Sequence, residues 1–230
     1  MITALLILVV CLGALVGRLL GTNRGFAKKL LVLSAGFIIT VCVCEIFPAV
    51  YENGGPNIGI WVIAGVLLQL ILENITKGLE HGHFHYSKDN NVLIPTALMF
   101  GMFVHAFIEG MPLAGSTTIR LPYLLGILVH KFPISFILGA YLYTSKMPKF
   151  YAMALIGAFA AASPLGFFFG NYINGRYESY LLALVEGIFL HISSVIIFES
   201  NKNHKMDFQK IFLVLMGGGV ALLGHLFHSH

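Results

Sequence analysis

Two side chains in the stretch Val104–Pro112 carry chemistry foreign to their surroundings: His105 and Glu109 interrupt an otherwise apolar run. Four residues apart on an α-helix, an imidazole and a carboxylate leave the same face and can reach one cation together. A further histidine, His130, lies in the next apolar run, followed by Lys131 and Pro133. Two imidazoles and a carboxylate suit Zn²⁺ and, with less selectivity, Fe²⁺, Mn²⁺, Co²⁺ or Cd²⁺. The competing reading is that each polar residue hydrogen-bonds a neighbouring helix as packing glue.

The medium around these groups decides how much they mean. Of the 230 residues, 57% are hydrophobic and 10% charged, and the mean hydropathy is +0.85. Soluble domains carry about a quarter charged residues, so this composition belongs to a protein integral to a membrane. There, an ionisable side chain is costly and is a functional-site hypothesis by default. The net charge of +4 is a topology signal and argues for no nucleic-acid partner.

Eight apolar runs fit bilayer spans near Ile2–Leu20, Leu30–Val50, Ile58–Gly78, Val92–Gly115, Leu121–Tyr143, Phe150–Tyr172, Tyr180–Phe198 and Ile211–Phe227. The expectation is an all-α polytopic membrane protein, one transmembrane domain over residues 1–230. Arg24, Lys28 and Lys29, then Lys77 and Lys88, Lys146 and Lys149, and Lys202, Lys205 and Lys210 all fall on one side, whereas the opposite loops hold Arg120 and Arg176. Positive residues mark the cytoplasmic side, which places both termini outside. Cys11, Cys42 and Cys44 lie within spans and read as apolar packing.

Depth can be counted along the spans. His105 precedes Gly115 by ten residues and His130 follows Leu121 by nine, so at about 1.5 Å per residue both lie roughly 14–15 Å below the outer surface. Spans four and five are joined by about five residues, Ser116–Arg120, and are expected to be antiparallel neighbours. Pro112 and Pro133 each remove a helical hydrogen bond near the site, as tolerated where backbone lines a cavity. Glu45, Glu186 and His191 are further ionisable groups within spans, and His225, His228 and His230 read as ordinary interfacial residues. The loop of about 80–91 holds His81, His83 and His85 at every second position, a composition that fits metal binding as well as a plain polar loop.

Taken with their order, these residues resemble the Zrt/Irt-like (ZIP) family of divalent-metal transporters along the whole chain. His105, Glu109 and Gly110 match the family's His-(Asn/Ser)-x-x-Glu-Gly in span four. His130, Lys131 and Pro133 match its His-x-x-Pro, or His-Lys, in span five. Ser163-Pro164-Leu165-Gly166 is similar to its small-Pro-Leu-Gly segment, and Gly187-Ile188-Phe189-Leu190 to its Gly-Thr-Phe-Leu. Ala106 and Ile134 stand where many relatives have ligands, and Lys131 brings a fixed cation where some hold a second metal.

The resemblance therefore implies a mononuclear site of His105, Glu109 and His130 that carries a divalent cation, zinc first, toward the cytoplasm. Water, Glu45 or His191 is left to supply a fourth ligand. Glu45, Glu109 and Glu186 would draw the cation in, and His81, His83 and His85 would receive it. A transported ion is the only metal expected, with no prosthetic group and no enzymatic activity. The lipid bilayer is the surrounding partner, of a multi-pass plasma (inner) membrane, with room for a homodimer. An intramembrane zinc hydrolase using the same ligands is the alternative, and it lacks a spare general base and a His-Glu-x-x-His motif.

Overall fold

A computed structural model describes residues 1–20, 24–76, 93–115, 120–144, 147–173, 175–199 and 208–228. The described residues are helical with no strand: α1 (Ile2–Leu20), α2 (Arg24–Val41), α3 (Phe47–Asn53), α4 (Ile58–Thr76), α5 (Leu93–Gly110), α6 (Arg120–Thr144), α7 (Lys149–Gly170), α8 (Glu178–Glu199) and α9 (Phe208–His228). α2 and α3 form one span through a π-helical turn at Cys42–Ile46, so the described residues make eight long helical segments. Among the described residues seven are long and apolar enough to cross a bilayer, and Leu98–Ala114, in α5 and its 3-10 continuation, is a shorter apolar helix. The His-bearing loop of 80–91, with His81, His83 and His85, lies outside the described residues.

Periodicity explains why each helix sits where it does. On α1 the buried residues are Leu6, Val10, Gly13, Ala14 and Gly17, a stripe at helical spacing, while Ile7, Leu8, Leu12, Leu15 and Leu19 face outward. A water-soluble bundle would bury those leucines; a bilayer solvates them.

The helices pack in two groups of four. α1, α6, α7 and α5 make one group, through the pairs α1–α6, α1–α7 and α5–α7; α2, α9, α8 and α4 make the other, through α2–α9, α2–α8 and α4–α8. The groups meet along α2–α6 and α4–α5. Within the groups backbones nearly touch: a Cβ on Gly166 would overlap the Phe107 carbonyl of α5, and one on Gly187 would overlap the Val62 carbonyl of α4.

Spans four and five, α5 and α6, are not the close neighbours that their short connection predicts. α5 lies on α7 and α4, and α6 lies on α1 and α2. The reason is side-chain volume. Gly110 and Gly166 let α5 and α7 meet backbone to backbone, whereas His105, Glu109, His130 and Lys131 occupy the space between α5 and α6 and hold those backbones apart.

Two prolines shape the spans. Pro48 has no N–H for the Cys44 carbonyl one turn back, and the helix widens just before it: the Phe47 N–H donates to Cys42 O, five residues back. At Pro112, α5 tightens into the 3-10 turn. α6 runs through Pro133 unbroken.

Candidate metal site

His105 and Glu109 project from α5 into the space facing α6, and both are buried, as are His130 and Lys131. His105 Nδ1 lies 3.2 Å from Gln69 Oε1 of α4. An amide oxygen only accepts, so Nδ1 carries a proton, and in the neutral imidazole Nε2 then presents its lone pair to the site. That Nε2 stands 3.3 Å from Glu109 Oε2. Two acceptor atoms facing each other need a positive centre between them, either a proton or a metal ion. Ligands about 2.0–2.1 Å from a tetrahedral zinc lie about 3.3 Å apart, so this separation fits the ion.

The other carboxylate oxygen is committed elsewhere. Glu109 Oε1 accepts from Lys131 Nζ and, at 3.0 Å, from Ser163 Oγ of α7. Lys131 Nζ also lies 2.6 Å from Ser163 Oγ, and Ser163 Oγ is 2.7 Å from the Ala106 carbonyl. Lys131 further sits over the Phe159 ring, 5.1 Å from its centroid. A fixed ammonium thus occupies one side of the glutamate and leaves Oε2 directed at His105.

His130 completes the group of predicted ligands from α6. Its ring lies edge-on to that of His105, centroids 6.1 Å apart, and 6.2 Å from the ring of Phe189 on α8. Among the described residues no three His, Cys, Asp or Glu side chains stand close enough together to hold an ion. His130 must therefore swing toward His105 and Glu109 for all three to share one cation.

Tyr123 is a site residue that the sequence reading passed over. Its hydroxyl donates to the Glu109 carbonyl at 2.6 Å. Pro112 has no N–H, and the 3-10 turn sends the next N–H three residues back, so this carbonyl loses its helical donors and Tyr123 supplies one. The signal in the sequence was a tyrosine one turn inside α6, opposite a proline-broken helix end. Tyr123→Phe would leave a buried carbonyl without its donor. It is expected to cost about 1–3 kcal/mol, read as a lowered melting temperature in detergent.

The remaining predicted residues fall elsewhere. His191 Nε2 lies 2.7 Å from Glu73 Oε2, joining α8 to α4. Glu45 Oε1 lies 2.6 Å from Nδ1 of His225, so this tail histidine is the partner of a buried-span glutamate and not merely an interfacial residue. Glu186 is fully buried within electrostatic reach of Cys42, and neither of its carboxylate oxygens has a hydrogen-bond partner among the described residues.

The profile of the ZIP zinc transporter family matches residues 87–224, more than half of the chain and the whole of the segment bearing His105, Glu109, His130 and Ser163. The chain belongs to the ZIP family. No curated protein sequence matches it significantly. ZIP proteins are transporters, and this one is a multi-pass membrane protein of a family that moves metal ions across the bilayer. Within it, the matched segment contributes α6, α7, α8 and most of α9 in addition to α5, and thus both helix groups.

Proposed function

We propose that this ZIP protein carries divalent cations, zinc in preference to Fe²⁺, Mn²⁺, Co²⁺ or Cd²⁺, toward the cytoplasm of a cell whose plasma membrane it spans. The cation binds as a single ion at His105, Glu109 and His130. The observation that carries this reading is the 3.3 Å gap between His105 Nε2 and Glu109 Oε2, a tetrahedral ligand spacing with Gln69 setting the tautomer on one side and Lys131 neutralising the far oxygen on the other. Lys131 stands in for a second metal, so the site is mononuclear. Three protein ligands leave water in the fourth position, which lets the ion exchange and leave.

Release follows from the way the helices are grouped. His105, Glu109, His130, Lys131 and Ser163 all belong to the group α1, α5, α6 and α7, while Gln69 and Phe189 line the site from the other group. Glycine contacts lock the pairs α1–α6, α5–α7, α2–α9 and α4–α8, whereas across the α2–α6 boundary a Cβ on Gly126 would meet Val41 at an ordinary 3.8 Å. Because the predicted ligands all lie on one side of this boundary, a shift of one group against the other would carry the ion with it. Glu73 and His191 lie on the proposed inner side of the site, one helical turn below Gln69 on α4.

The test is uptake of radioactive zinc by purified protein in proteoliposomes, with the other four cations as competitors. Zinc uptake that the others reduce only at higher concentration is expected. Because a proton and a metal compete for the same gap, uptake should fall as the outside pH is lowered. Absence of uptake for every divalent metal overturns the proposal.

A further inference from the structure

A second ionisable pair lies in this bundle, away from His105 and Glu109. Glu45 and His225 face a cavity of about 530 Å³ between α2, α6 and α9, whose walls are otherwise mostly apolar: Phe37, Val41, Leu125, Val129 and Val220 among them. The His225 side chain is 36% exposed and that of Glu45 13%. A pair that only glued α2 to α9 would be sealed between the helices. This one instead opens onto a space that follows α6 from Leu121 to Val129, the residue before His130, over about 12 Å. Glu45 also sits in the π-helical turn, a distortion that recurs at functional sites and that Pro48 enforces here.

The geometry points to a cation-capture site at the proposed outer end of the protein, in which Glu45 Oε1 and His225 Nδ1 hold a divalent metal ion whose other ligands are water. The pair now shares a hydrogen bond at 2.6 Å. Opening it by about 0.7 Å gives the separation that two ligands adopt across a tetrahedral ion, and replaces the shared proton with the metal. His225 stands near the end of α9, where such a movement disturbs little packing. Two protein ligands hold an ion loosely, as suits a site that must pass it on. This site deepens the transport reading and has its own residues, so each can fail alone.

The deciding measurement is the number of zinc ions bound per chain by the purified protein in detergent. The expected count is one ion fewer than that of the natural sequence for Glu45→Gln with His225→Asn, and likewise one fewer for His105→Ala with His130→Ala. If the first pair of substitutions leaves the count unchanged, the capture site is overturned. If only the second pair leaves it unchanged, the capture site stands and the midplane site fails. A separate readout needs neither ligand altered: Cys44 lines the same cavity, so in a protein carrying Cys11→Ser and Cys42→Ala, zinc should slow its labelling by a small charged thiol reagent. Labelling indifferent to zinc, or a Cys44 that does not react at all, also overturns the site.

Discussion

Alanine at His105 is expected to lower zinc uptake by on the order of 100-fold or more while leaving the protein folded. Substitution of residues that merely orient a metal ligand already costs about 10–100-fold in affinity, and His105 is proposed as the ligand itself. It is also the cleanest of the three ligands to remove. Its loss leaves Glu109 still paired with Lys131, whereas removing Glu109 would leave the Lys131 ammonium buried without its carboxylate. Gln69→Leu supplies the companion measurement. It keeps the ligand but frees the tautomer that the Gln69 oxygen selects, and should cost about 10–100-fold with most of the loss recovered at raised zinc. Uptake that survives His105→Ala in protein with an unchanged melting temperature would remove His105 from the pathway.

The parts of this site that could be read in the sequence are those set by local geometry. The four-residue spacing of His105 and Glu109 put them on one face, and counting residues from helix ends put His130 at the same depth. What connects them was not legible. Ser163 reaches Glu109 across 54 residues, and Gln69 reaches His105 across 36, and such pairings depend on which helices touch. The touching itself departed from expectation, because a short connection predicted α5 beside α6 while glycines drew α5 onto α7. Much the same holds at the other end of the bundle. Glu45 was visible as an ionisable residue within a span, but its partner lies 180 residues away in a tail that read as interfacial. The π turn beside it had a local signal in Pro48, since a proline inside a span must displace the carbonyl one turn earlier.

Lys131 is where the sequence departs most sharply from a site with two metals, and its removal should have the largest effect on stability. Breaking a buried ion pair by deleting one partner costs about 3–5 kcal/mol, since the surviving charge stays buried without compensation. Lys131 and Glu109 are both about 1% exposed, and Ser163 bridges them, so little water is at hand to repair the loss. Lys131→Met, which keeps most of the side-chain volume against Phe159, is therefore expected to lower the melting temperature of the metal-free protein substantially. Adding Glu109→Gln should restore much of it, because the double variant has no stranded charge; a double variant as unstable as the single one would show that the loss came from packing. Zinc separates the roles further. With the ammonium gone, both oxygens of Glu109 become available to a cation, so saturating zinc should stabilise Lys131→Met more than it stabilises the natural protein. An equal zinc-induced shift in the two proteins would mean that Lys131 does not compete with metal for this carboxylate, and the mononuclear assignment would lose its basis.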